Sequence, residues 1–104
     1  MAYKVEFSDF FLEDIELISE NLYRKLKSDN TTKKLLRKIQ LKIEQLSNSP
    51  KMYPKISKIG RWNREFRKIV LDNYILLYTI DEDCRKVYIS YIYYNKRNYF
   101  DIPI

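Results

Sequence analysis

Tyr91, Tyr93, Tyr94 and Tyr99 surround Lys96 and Arg97 where the last apolar run of the chain ends. Phenol rings beside ammonium and guanidinium groups form a surface on which an RNA base can stack while the cations hold its phosphates. Further cations precede this cluster: Lys58 and Arg61 in an irregular stretch, then Arg64, Arg67 and Lys68 in a strand-like run. The chain has no histidine, so any proton transfer must use phenol, ammonium or guanidinium groups. A single cysteine, Cys84, excludes an internal disulfide and a cysteine-rich zinc site. No Asp/Glu cluster argues for Mg²⁺, so no metal or other cofactor is expected. Gly60 is the one glycine, which excludes a glycine-rich phosphate loop.

The elements that must position these groups follow from hydrophobic periodicity. Tyr3–Phe7 alternates apolar and charged residues, the pattern of a half-buried strand. Ser8 offers an N-cap oxygen, and Phe11, Ile15, Ile18, Leu22 and Leu26 make the apolar stripe of a helix from about Asp9 to Lys27. Ser28–Thr31 breaks the pattern and caps a second helix, whose stripe is Leu35, Leu36, Ile39, Ile43 and Leu46 and which stops at Ser47–Pro50. Residues 51–63 are irregular, with Tyr53, Ile56, Ile59 and Trp62 as anchors. Three strands follow: Arg64–Leu71, then Tyr74–Ile80 after a tight turn at Asp72-Asn73, then Val87–Tyr93 after the turn Asp81–Arg85. Tyr74–Ile80 is apolar on both sides and is expected in the centre, and Tyr74, Tyr78 and Tyr88 read as strand formers. Along the first of these strands Arg64, Phe66 and Lys68 share one side, Glu65, Arg67 and Ile69 the other.

A β-α-α-β-β-β order, with helices in one block and strands in another, predicts an α+β fold. A helical hairpin packs on one face of a small antiparallel sheet. At 104 residues the chain, residues 1–104, is one domain. No apolar run approaches the length that spans a bilayer, and the start of the chain reads as a strand, so the cytoplasm is the expected compartment. The net charge of +6 is unevenly spread. Residues 1–23 balance at −5, residues 24–68 at +12 and residues 69–104 at −1. A lysine-rich helix face is most often simply solvated. Here the excess runs on into the loop and the first strand, which implies a surface facing a polyanion.

Phe66-Arg67-Lys68, Tyr74–Glu82, Val87-Tyr88-Ile89 and Lys96-Arg97-Asn98-Tyr99, in this order, resemble the RelE/ParE toxin superfamily. The likeness covers essentially the whole chain, including the end of the second helix with Pro50 and Tyr53. It implies a toxin neutralised by a cognate antitoxin whose acidic segment folds on binding. RelE-like members are metal-independent endoribonucleases that cut mRNA on the ribosome and stop translation, whereas ParE-like members inhibit DNA gyrase. In the nuclease reading, carried over by position, Arg67, Lys96 and Arg97 stabilise the phosphorane charge; many members carry histidine where Tyr93 or Tyr94 stands, and Tyr94 is the candidate acid. Lys58, Arg61, Arg64, Lys68, Tyr93 and Tyr99 would bind the nucleic acid. RelE-like nucleases often place arginine after the tyrosine that opens the central strand, and this chain has Ile75 there. The primary expectation is the ribosome-dependent mRNA endonuclease. The alternatives are a gyrase inhibitor without nuclease activity and a non-catalytic antitoxin-binding module.

Overall fold

The computed structural model describes residues 2–26, 29–56 and 65–94. Its elements are β1 (Lys4–Phe7), α1 (Asp9–Leu26), α2 (Asp29–Asn48), β2 (Lys55–Ile56), β3 (Phe66–Leu71), β4 (Tyr74–Asp81) and β5 (Lys86–Tyr94). The strands form one sheet in the order β1-β5-β4-β3-β2, and the two helices pack on one of its faces. The architecture is the α+β arrangement expected from the order of helices and strands.

Alternation along the strands sorts side chains between two clusters. On the helix side, Ile69, Leu71, Leu76, Tyr78, Val87, Ile89 and Ile92 meet Phe11, Leu35, Ile39 and Leu46. On the opposite side, Phe66, Ile75 and Leu77 form a smaller cluster with Ile56 and Tyr91 packed against it. Strand β4 contributes to both, which explains why Tyr74–Ile80 is apolar on both sides. The Ile59 and Trp62 anchors and the Arg64 end of the first predicted strand lie outside the described residues.

Two features differ from the sequence expectation. The sheet is mixed rather than wholly antiparallel, because β1 lies beside β5 and runs parallel to it, Val5 opposite Val87 and Phe7 opposite Ile89. The helical hairpin returns the chain to the far edge of the sheet, so the first strand ends up next to the last. The second feature is β2, two residues within the stretch read as irregular, paired antiparallel with Arg67 and Phe66.

The start of α1 is fastened to an irregularity in the sheet. Between β4 and β5 the register passes from Leu77 opposite Tyr91 to Tyr78 opposite Ile89, leaving Ser90 as a bulge. The Ser8 hydroxyl donates to the Ser90 carbonyl at 2.5 Å and accepts the Phe11 N–H at 3.0 Å. The same oxygen therefore caps the helix and ties it to β5, while Asp9 meets the positive end of the helix dipole. Ser8→Ala is expected to cost about 1–2 kcal/mol, lowering the melting temperature by roughly 4–16 °C. A thermal melt identical to that of the wild type would contradict this account of the cap.

The far end of α2 is held equally locally. Tyr3 N–H donates to the Ser47 carbonyl at 2.7 Å and the Ser47 hydroxyl donates to the Tyr3 carbonyl at 2.8 Å. Midway along α2, Lys38 reaches both carboxylate oxygens of Asp72 at 3.0 and 2.9 Å. Asp72 opens the tight turn between β3 and β4 with φ of 55°, a conformation that aspartate tolerates better than most residues.

Candidate functional site

Arg67 sits on the helix side of β3, directly opposite Tyr78 on β4. Its guanidinium Nη1 donates to the Tyr53 carbonyl at 2.6 Å and to the Lys51 carbonyl at 3.2 Å. The Tyr78 hydroxyl donates to the Pro50 carbonyl at 2.7 Å. Two neighbouring side chains of the sheet thus hold three carbonyls of the turn that follows α2. That turn is secured from above as well. The Tyr53 ring stands edge-on to Tyr78 with centroids 6.4 Å apart, Lys42 Nζ lies 5.5 Å from the Tyr53 centroid, and the Tyr53 hydroxyl donates to Gln45 Oε1 at 3.2 Å.

Arg67 also lines a groove of about 790 Å³ at this end of the sheet. Lys51 and Lys55 stand in its wall with Glu65, Asp81, Glu82, Asp83 and Tyr88. Among the described residues, three cations face four carboxylates there, so their charges nearly cancel. Lys51 pairs with Glu82, and Lys55 with Glu65 at 3.3 Å. Asp81 Oδ1 accepts the Cys84 N–H at 3.1 Å. Charges compensated in this way give a phosphate little reason to settle. Among the described residues, no three His, Cys, Asp or Glu side chains are placed to hold a metal ion.

The structure spreads the candidate site residues over both faces and both ends of the sheet. Lys68 projects to the face opposite Arg67, beside the cluster of Phe66, Ile75 and Leu77. Tyr94 pairs with Tyr74 at the other end of β4, their rings T-shaped at 5.8 Å. Four residues of strand separate Tyr74 from Tyr78, the partner of Arg67, so Tyr94 stands roughly 13 Å from Arg67 along the strand direction. The backbone of Tyr93 pairs with Ile75. Lys58, Arg61, Arg64, Lys96, Arg97 and Tyr99 lie outside the described residues. Sequence reasoning did not single out Lys51, Asp81, Glu82 or Asp83 as groove residues. The three acids read as a turn, and nothing in their spacing points to Lys51.

Among the described residues, the phenols and ammonium groups whose protonation is displaced all move away from neutral pH. Burial pushes the Tyr78 phenol up to about 12. Burial, aided by the neighbouring Tyr94, also raises the Tyr74 phenol. The hydrogen bond and charge of Glu82 raise the Lys51 ammonium, and Lys51 lowers Glu82 in return. Glu6 does the same to Lys86, raising it through a hydrogen bond and its charge. Asp81 raises the Cys84 thiol, keeping it in its unreactive form. A proton-transferring phenol or ammonium would need the opposite displacement, toward neutrality.

No helix among the described residues is long and apolar enough to cross a membrane. Residues 5–99 match the family model described as the ParE toxin of the type II toxin–antitoxin system, parDE. No curated protein matches the chain.

Proposed function

The chain belongs to the ParE toxin family of type II toxin–antitoxin systems, and from that premise we propose that it acts by binding and inhibiting DNA gyrase rather than by cutting mRNA. Membership implies a cognate antitoxin as its partner. The observation that carries the mechanistic choice is the commitment of Arg67 to the carbonyls of Lys51 and Tyr53. The Nη1 donors are spent on main chain, which leaves fewer of the guanidinium's N–H groups to stabilise charge on a transferring phosphate. Two further observations support the same reading. Ile75 is 3% exposed and packs with Phe66 and Leu77, at the place where RelE-like nucleases carry arginine. Lys51, Lys86, Tyr74 and Tyr78 are each displaced away from neutral pH.

In this reading Lys58, Arg61, Arg64, Lys68, Tyr93, Tyr94, Lys96, Arg97 and Tyr99 are contact residues for the target rather than a catalytic set. A positive segment of this size steers a small protein toward an acidic or DNA-bound partner. The test pairs two measurements on one preparation. Purified chain titrated into a supercoiling reaction is expected to abolish gyrase activity. Ribosome-bound transcripts in cells arrested by the same chain are expected to stay intact. Transcripts cut at ribosome-occupied codons, with gyrase unaffected, would return the chain to the ribosome-dependent nuclease reading. Neither effect, with antitoxin binding retained, would leave a non-catalytic binding module.

A further inference from the structure

Most of the positive charge of the chain gathers at one end of the helical hairpin. Ser8 at the start of α1 and Ser47 at the end of α2 are both fastened at the β1–β5 edge, so the helices run antiparallel. The far end of the hairpin, its tip, is made by the end of α1 and the start of α2. Residues 18–37, which span this tip, hold six basic residues against two acids, Glu20 and Asp29. Their balance of +4 is two thirds of the net +6.

Within the tip, Lys33, Lys34 and Arg37 are exposed. At 100° per residue they lie about 120°, 140° and 160° around α2 from the buried Ile39. Two other cations of the helix are used by the fold: Lys38 holds Asp72, and Lys42 lies against Tyr53. Among the described residues no ion pair uses Lys33, Lys34 or Arg37. Equal steps along the antiparallel helices put Glu20 at the height of Leu35 and Glu16 about one turn further from the tip. Neither pairs with the three cations. Lys34 shares a flank of α2 with Lys38, whose partner lies in the β3–β4 turn, whereas α1 packs over β5. That flank is turned away from the acids of α1.

A helix face that is merely solvated tends to set an acid three or four residues from each lysine. Lys34 and Arg37 have no acid at either spacing in either direction. Their charged neighbours at these spacings are Lys33, Lys38 and each other, and like charges so placed destabilise a helix. A polyanion laid along the tip offsets that repulsion. Helix α2 has no aromatic residue, so it can grip phosphates but cannot stack bases, which is how single strands are held.

We propose that the hairpin tip is a phosphate-binding face for duplex DNA, with Lys33, Lys34 and Arg37 as its contacts. The choice of DNA over RNA rests on the gyrase reading, because duplex DNA is what gyrase acts on. The three cations span about 6 Å of helix axis, and a duplex presents one charge per ~1.7 Å of its own axis. All three can therefore meet phosphates of one short stretch of duplex. Lys68, a target contact in the gyrase reading, projects from the opposite face of the sheet. A chain seated on gyrase through that side turns its tip toward the DNA beside it. Such contacts fix position without reading sequence, so the binding is salt-dependent and indifferent to base order.

The test is fluorescence anisotropy of a labelled duplex of about 20 base pairs and arbitrary sequence, titrated with the purified chain at several salt concentrations. Gyrase is absent, so failure here is distinct from failure of the functional reading. The wild type is expected to show a log–log salt slope of about −2.7, the value for three phosphate contacts. Lys34→Gln with Arg37→Gln is expected to reduce the slope to about −0.9 and to weaken binding on the order of 60-fold at about 0.1 M salt. Lys4→Gln with Lys86→Gln removes the same charge beside Glu6, at the end of the hairpin remote from the tip. Arg37 and Ser47 are about 15 Å apart along α2, beyond the Debye length of about 10 Å, so this control is expected to change affinity by less than about threefold. Circular dichroism establishes that each variant is folded. No binding by the wild type, or an unchanged slope after Lys34→Gln with Arg37→Gln, would overturn the proposal. An equal loss in the control would overturn it by reducing the effect to net charge. Tighter binding to single- or double-stranded RNA of the same length would do so in favour of an RNA-facing surface.

Discussion

Tyr78→Ala is expected to remove about 3–5 kcal/mol of stability, a large part of what a domain of this size possesses. The ring is fully buried, at 0% exposure, and closes the core between Tyr53 and the sheet. Its removal leaves a cavity and strips the Pro50 carbonyl of its donor. In a thermal melt the midpoint falls by roughly 15–30 °C. Tyr78→Phe separates the two contributions, since it keeps the packing and loses only the hydrogen bond to Pro50. Its expected cost is about 1–3 kcal/mol. If alanine and phenylalanine proved equally mild, the turn after α2 would not depend on this side chain.

The same hydroxyl fixes a pH dependence. The phenol is raised from 10.0 to about 12 in the folded chain because burial disfavours its anion. A folded-state value above the unfolded one means that the fold favours the protonated phenol. This contribution is complete below pH 10 and is lost as pH climbs through 12. The stability gap between wild type and Tyr78→Phe is therefore expected to narrow across that window. Alkaline unfolding curves of the two proteins check it, and a constant gap would contradict the assignment.

How much of this could be read from the residues depends on the range of the interaction. Ser8, Asp9 and the stripe from Phe11 onward act within one or two turns, and α1 starts at Asp9 as that local signal predicts, while its expected end at Lys27 lies outside the described residues. Tyr74–Ile80 is apolar at every step but Thr79, and it is the strand buried on both sides. The parallel pairing of β1 with β5 joins residues more than eighty positions apart. No local pattern encodes it, because Tyr3–Phe7 alternates in the same way whatever lies beside it. The bulge at Ser90 is similarly silent in a run of alternating tyrosine and isoleucine. The site was readable as an inventory of cations and aromatics but not as an arrangement. Alternation correctly put Arg67 and Lys68 on opposite faces. The acids that neutralise the groove come from Glu65 and from the β4–β5 turn, and only the folded sheet brings them to Lys51 and Lys55.

Arg67 is where the two readings of that inventory part, and Arg67→Ala is expected to act on stability first. The substitution leaves the Lys51 and Tyr53 carbonyls without their charged donor, at a cost of about 2–3 kcal/mol. The penalty should concentrate in the turn after α2, where amide exchange of residues 51–53 accelerates before that of β4. Lysine at this position keeps a charged donor but not the rigid planar group that aims Nη1 at both carbonyls, so Arg67→Lys recovers only part of the loss. Growth arrest by Arg67→Ala should then weaken in proportion to the unfolded fraction and return at a temperature where the variant is folded. Folded Arg67→Ala should inhibit gyrase as the wild type does. A variant with an unchanged urea midpoint and no toxicity at any temperature would mean that the guanidinium acts on the target and not on the main chain. Arg67 would then regain its place among the groups that touch nucleic acid, and the balance between the gyrase and RNA readings would shift with it.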